Sequence, residues 1–190
     1  MKRDNQVITI FAILIVVSGI YKVIPFEDRP IWLGGPQLAI ALFAGSIIKD
    51  RKWAFAIPIF SMLIGDLLME GLFSIGATSY QGFYKGQLLN YALIAMLTVV
   101  GFFINHRKVS NIIGGMIAAP TLYFILSNFA VWVSGGGLHR PKTTAGLLQC
   151  YGDAIPFYGS SLLTMAVFGT VLFGGYNLIT SGKSLKGIKA

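Results

Sequence analysis

Six stretches of this chain are apolar enough to be read as helices crossing a bilayer. They run about Val7–Ile24, Pro36–Ile48, Trp53–Phe73, Leu88–Ile104, Ile112–Val133 and Ala154–Ile179. A helix rises ~1.5 Å per residue, so roughly 20 residues cover the hydrocarbon core. The second stretch is short for this. It is expected to tilt back into the protein or to begin earlier, at Ile31-Trp32-Leu33. The expected fold is an all-α six-transmembrane-helix bundle, with residues 1–190 forming a single integral membrane domain. Two of the polar breaks, KDRK and NHRKVS, are tight. Three others, Pro25–Gly35, Ser74–Gln87 and Ser134–Asp153, are long and rich in glycine and aromatic residues.

Composition agrees with this pattern. The chain is 55% hydrophobic and 12% charged, where a soluble domain is about 25% charged. One cysteine excludes a disulfide within the chain. Lys2 and Arg3 precede the first apolar run, as in a signal peptide. Gly19-Ile20-Tyr21-Lys22 is a poor cleavage site, so this run is expected to stay as the first helix. The net charge of +8 comes from short loops and tails, which is an orientation signal rather than a nucleic-acid surface. Lys2, Arg3, Lys49, Arg51, Lys52, Arg107, Lys108, Lys183, Lys186 and Lys189 fall on one side. Lys22, Arg29, Lys85, Arg140 and Lys142 fall on the other. The side with the excess is the cytoplasmic one, which puts both termini there and the three long connections outside.

Long connections tend to carry function, and the intramembrane polar groups sit near them. Asp66 follows Trp53 by ~20 Å of helix, and Glu70 shares its face one turn later. Asn90 and Asn128 reach a similar depth from the fourth and fifth spans, and Gln149 and Asp153 come from the segment before the sixth. Ionisable groups in a membrane are costly, by ~2.5–3.5 kcal/mol on insertion scales, and usually face the bundle interior or a cavity. The stretch Asn128–Phe157 is therefore read as one wall of an outward-facing cavity. Within it Thr144–Tyr151 should pack as a short helix or re-entrant turn. Asp66, Glu70, Asn90, Asn128, Gln149 and Asp153 are the expected polar ligand contacts, with Trp132 and Tyr151, and Tyr84 beside them, at an aromatic rim. Such a cavity would suit a small molecule bearing hydrogen-bond donors, since carboxylates and amide oxygens accept. The structural alternatives are ion pairing of Asp66 within the bundle, Asn128 as a contact between helices, and Asp153 as the N-cap of the last helix with Pro156 in its first turn.

Cys150 and His139 fit packing and a solvated loop. No H-x-x-H or C-x-x-C spacing supports a metal, no motif calls for a cofactor, and no G-x-S-x-G elbow or phosphate-binding lysine loop supports an enzyme. Ala41-x-x-x-Gly45, Gly114-x-x-x-Ala118 and Gly115-x-x-x-Ala119 are small-residue faces suited to close helix packing. Pro58 and Pro120 lie inside spans and should kink them.

The run from Gly34 to Gly71 resembles a signature of an uncharacterised family of small six-helix bacterial membrane proteins, a domain of unknown function. It carries Pro36, Ala41-Leu42-Phe43-Ala44-Gly45, and Pro58 with Asp66. The later motif is matched by Asn128, Trp132, Thr144, Gly146, Leu147, Cys150, Tyr151, Pro156 and Phe157. The family's Asn-Phe-Thr lead-in is replaced by Leu33-Gly34-Gly35. In size and layout the family is similar to the S components of energy-coupling-factor vitamin transporters. This chain departs from the S components' Ala-x-x-x-Ala docking pattern, since Ala12 is followed by Val16. The resemblance implies a vitamin-like small-molecule ligand, uptake across a bacterial inner membrane, and an energising module as partner. The alternative is a non-transporting accessory subunit of a larger membrane complex.

The charge bias makes a direct prediction. An impermeant thiol reagent added outside cells should label Lys85→Cys and spare Lys183→Cys. Labelling of the tail but not of the 74–87 connection would reverse the topology.

Overall fold

The computed structural model describes residues 13, 16, 17, 19, 21, 22, 24 and 35–187, with backbone only at 179 and 181–187. Five helices follow one another: α1 (Gln37–Ile47), α2 (Arg51–Ser74), α3 (Gln87–Gly101), α4 (Val109–Ser134) and α5 (Thr144–Gly187). There is no strand among the described residues. Ile13, Val16, Val17, Gly19, Tyr21 and Lys22 are helical as well. The remainder of the predicted first span, with Trp32 and most of the first long connection, lies outside the described residues.

Among the described residues, three helices are long and apolar enough to cross a membrane: α2, α4 and the Thr144–Leu178 part of α5. The two short ones have a different place. At 11 residues, α1 extends only ~16 Å. Every residue from Ala39 to Gly45 is buried, so α1 is the centre of the bundle rather than one of its walls. Its uniformly apolar sequence fits that position, because a helix hydrophobic on all sides must be covered on all sides. Around it gather Ile57 and Met62 of α2, Ile94 and Leu97 of α3, Ile112 and Ala119 of α4, and Met165 and Phe173 of α5. The long helices turn apolar side chains outward, among them Ile117, Phe129, Val171 and Leu178.

Connections at one end are short and basic. Asp50 caps α2, its carboxylate accepting the Lys52 N–H at 2.9 Å. Arg51 lies over the Phe102 ring, 3.6 Å from its centroid. His106 meets the Ser46 carbonyl at 3.2 Å and the Tyr176 ring at 5.8 Å. These contacts gather the end of α1, the start of α2, the α3–α4 turn and the distal part of α5. The connections 75–86 and 135–143 lie at the opposite end. There Gly135 terminates α4 at φ 73°, a left-handed conformation that glycine adopts at no steric cost.

The last helix departs from expectation. The sequence suggested a separate segment over Thr144–Tyr151 and a span starting near Ala154. In the structure one helix runs from Thr144 to Gly187. Thr143 starts it, its hydroxyl accepting the Gly146 N–H at 3.1 Å. Asp153 is therefore mid-helix, not an N-cap, and Pro156 is well inside. A proline removes one intrahelical hydrogen bond, but contacts with α4 on either side of it hold the helix on course. Tyr151 donates to the Ile125 carbonyl at 2.9 Å, and Tyr158 and Thr121 share a hydrogen bond at 2.7 Å.

The tightest crossing is between α1 and α3. A Cβ on Gly101 would lie 2.5 Å from the Leu42 carbonyl oxygen, and one on Gly45 would lie 2.1 Å from that of Thr98. Neither helix can yield without moving backbone. Gly101→Ala should therefore lower stability by about 1–3 kcal/mol or more, read as a fall in thermal midpoint of the purified protein. Gly114→Ala, where nothing lies within 4 Å, should leave the midpoint unchanged or slightly raised. Equal midpoints for the two variants would contradict a close α1–α3 contact.

Candidate functional site

The site begins with Asp66, which is 0% exposed. A buried carboxylate needs charge and hydrogen-bond partners to offset its lost hydration, and Asp66 draws them from two other parts of the chain. Lys22 forms an ion pair with Oδ1. Gln87 of α3 donates Nε2–H to Oδ2, and one turn later Tyr91 donates its hydroxyl to the same oxygen at 2.6 Å. The i, i+4 spacing of Gln87 and Tyr91 puts both donors on one face of α3.

The network continues outward from Gln87. Asn90 Nδ2 donates to Gln87 Oε1 at 3.4 Å and to the Tyr84 hydroxyl at 2.6 Å. Tyr123 of α4 donates its hydroxyl to Asn90 Oδ1 at 3.3 Å. A partly open cavity of about 250 Å³ lies against these groups. Among the described residues its polar wall is formed by Lys22, Gln37, Tyr84, Gln87, Asn90 and Tyr123, and its apolar wall by Leu38, Met62 and Ile94, with Tyr21 and Gly35 also lining it. Burial of the Tyr84 ring pushes its hydroxyl pKa upward, and the hydrogen bond from Asn90 offsets part of that shift. The Tyr84 hydroxyl therefore stays neutral through the physiological range.

Glu70 has another task. Its Oε2 accepts the Gly82 N–H at 3.0 Å and the Phe83 N–H at 3.3 Å, tying the 75–86 connection down on α2. Gly82 itself touches the helix backbone, since a Cβ there would come within 1.9 Å of the Asp66 carbonyl oxygen. Only glycine allows that approach. Glu70 thus holds in place the connection that carries Tyr84.

The remaining sequence-derived site residues stand apart from the cavity. Asn128 donates Nδ2–H to the Phe124 carbonyl at 2.8 Å, within its own helix. Cys150 is buried and points to the Asn128 carbonyl at 3.6 Å. Trp132 donates its indole N–H to the Pro141 carbonyl at 2.8 Å, with Lys142 over its ring. Tyr151 packs on Phe124, ring centroids 5.5 Å apart. Asp153 forms a two-pronged pair with Arg140, Nε–Oδ2 2.7 Å and Nη2–Oδ1 2.9 Å. That hydrogen bonding holds the Arg140 guanidinium above its ordinary pKa. Gln149 is exposed. Together these residues fasten the 135–143 connection to α4 and α5. His139 is exposed in that connection at φ 51°. No group of three or more His, Cys, Asp or Glu suited to a metal occurs among the described residues.

Of the residues singled out from sequence, the structure brings Asp66 and Asn90 together with Tyr84 at the cavity, with Glu70 beneath the adjoining connection. Lys22, Gln37, Gln87, Tyr91 and Tyr123 were missed as site residues. The i, i+3 spacing of Gln87 and Asn90 at the start of a span was the available signal, since it aims two amides from one face.

Fold and site define a class: an all-helical protein with helices long enough to cross a membrane and a cavity, polar on one wall and apolar on the other, beside an ion pair whose carboxylate is buried. Within that class the chain belongs to a family of unknown function, DUF6580, whose model matches residues 2–186. No curated protein and no solved structure matches the chain.

The Asp66 cluster yields a stability prediction. Asp66→Leu leaves the Lys22 ammonium without its carboxylate and should cost about 3–5 kcal/mol. Adding Lys22→Met should recover part of the loss. Glu70→Ala should change global stability less but increase amide exchange at Gly82 and Phe83. Thermal midpoints together with hydrogen exchange measure all three. A double variant no more stable than Asp66→Leu would argue against a direct Lys22–Asp66 coupling.

Proposed function

We propose that the chain is a multi-pass protein of a bacterial inner membrane that binds a small, vitamin-like nutrient in this cavity for uptake. The observation that carries the reading is the cavity itself. It is polar on one side, apolar on the other, and backed by a buried ion pair at the end of the bundle with the long connections. Binding sites for small molecules have this character: concave, mostly apolar, with a few convergent polar groups. The charge bias of the sequence makes that end the outer one, facing incoming solute. On this reading the chain has six spans with cytoplasmic termini, and its resemblance to S components, read from the sequence, suggests an energising module as partner. Binding rather than catalysis fits the chemistry, because the Asp66 oxygens are committed to Lys22, Gln87 and Tyr91. Cys150 and His139 each face a backbone carbonyl of their own, that of Asn128 and that of Gly135.

One observation favours the accessory-subunit reading. Gly115 and Ala119 of α4 face the core, but Gly114 and Ala118 are exposed on its outer side, a surface on which another helix could pack closely.

Mass spectrometry of small molecules retained by the purified protein tests the main reading. The wild type should carry one. Leu38→Trp, which fills the cavity, and Asn90→Ala, which removes its central amide, should each lower occupancy about tenfold. Asn128→Ala lies outside the lining and should match the wild type. Equal content in all four proteins, or none in a folded wild type, would defeat the proposal.

A further inference from the structure

The direction of each hydrogen bond running from Asp66 to Tyr84 follows from one fixed point. Asp66 is an ionised carboxylate paired with Lys22, and such a group only accepts. Gln87 must therefore turn Nε2 toward it, leaving Oε1 to face Asn90. An amide oxygen needs a donor, so Asn90 presents Nδ2. That same nitrogen donates to Tyr84 Oη at 2.6 Å, and Asn90 Oδ1, on the other side, receives the Tyr123 hydroxyl. Reversing any link would set two donors or two acceptors face to face and leave polar groups unsatisfied.

The chain ends at Tyr84. Its oxygen is an acceptor within the network, so its own proton is free to be donated, and no described residue accepts it. Tyr84 is half exposed and lines the cavity. The polar wall thus ends in a donor, where the sequence had suggested acceptor oxygens. The second constraint is charge. Lys22 is the one charged side chain among the described lining residues, and Asp66 neutralises it. Size is the third: about 250 Å³ is below the ~300–1,000 Å³ usual for drug-sized ligands.

We infer that the cavity takes an uncharged molecule of single-ring size that accepts a hydrogen bond from Tyr84 Oη. This rests on the reading of the cavity as a binding site and specifies its ligand class.

Four probes of equal heavy-atom count separate the possibilities: acetophenone (neutral, acceptor only), indole (neutral, donor only), benzoate (anion) and benzamidine (cation). Thermal unfolding of the full-length protein in nanodiscs is followed against each at millimolar concentration. Acetophenone should raise the midpoint most, and Tyr84→Phe should weaken its apparent affinity about tenfold. A larger shift with indole, benzoate or benzamidine, or an acetophenone shift that survives Tyr84→Phe, overturns the ligand class while leaving the binding site standing. No shift with any probe overturns the inference as well. The binding-site reading then fails separately if Leu38→Trp keeps the same co-purifying small-molecule content as the wild type.

Discussion

A carboxylate held out of water is the constraint on which this structure depends. Asp66 is completely buried, and leaving it unpaired would cost several kcal/mol. Its partners come from the N-terminal region, through Lys22, and from α3, through Gln87 and Tyr91. Meeting its needs therefore fixes where three segments meet. The Gln87 amide, turned inward by Asp66, orients Asn90, which in turn orients Tyr84 and Tyr123. One charge sets the polarity of an entire wall. Buried networks of this kind gain rigidity only when every member is satisfied, and here each internal link pairs a donor with an acceptor.

The apolar side of the same geometry is set by helix length. A short, wholly apolar helix cannot serve as a wall and is most stable when surrounded. α1 takes the centre, its approach to α3 allowed by Gly45 and Gly101. The longer α2, α4 and α5 wrap it and present apolar surface outward. The cavity opens where this close packing stops, next to Leu38 at the start of α1, with Met62 and Ile94 lining the same side.

A second polar assembly secures the far side of that end. The indole of Trp132, the Arg140–Asp153 pair and the Tyr151 hydroxyl bind the 135–143 connection and the first turns of α5 to α4. Its polar groups are spent on backbone carbonyls and on each other. The cavity-side groups differ in that one of them, Tyr84, keeps a donor to offer. This separates two clusters whose residue types look alike.

The sequence by itself determined the helical class, the boundaries of four helices to within a few residues, and the level at which the polar groups lie. Apolar run length and charge placement are local properties, and the bilayer or bundle reads them locally. It singled out Asp66, as a ligand contact or as an ion-pair partner within the bundle, because a carboxylate deep in an apolar run has to be compensated somewhere. Tertiary structure alone decided which neighbours compensate it. Asn90 and Asn128 are equivalent in type and depth, but only Asn90 faces the cavity. That depends on helix rotation, which in α4 follows from packing Gly115 and Ala119 inward. Likewise Thr144–Tyr151 reads from sequence as separate from the last span because it is a half-apolar segment within a glycine-hinged connection. Contacts with α4, not propensity, carry that helix through. Lys22 could not have been chosen as the Asp66 partner from spacing, because the two are distant in sequence and only the packed bundle brings them together.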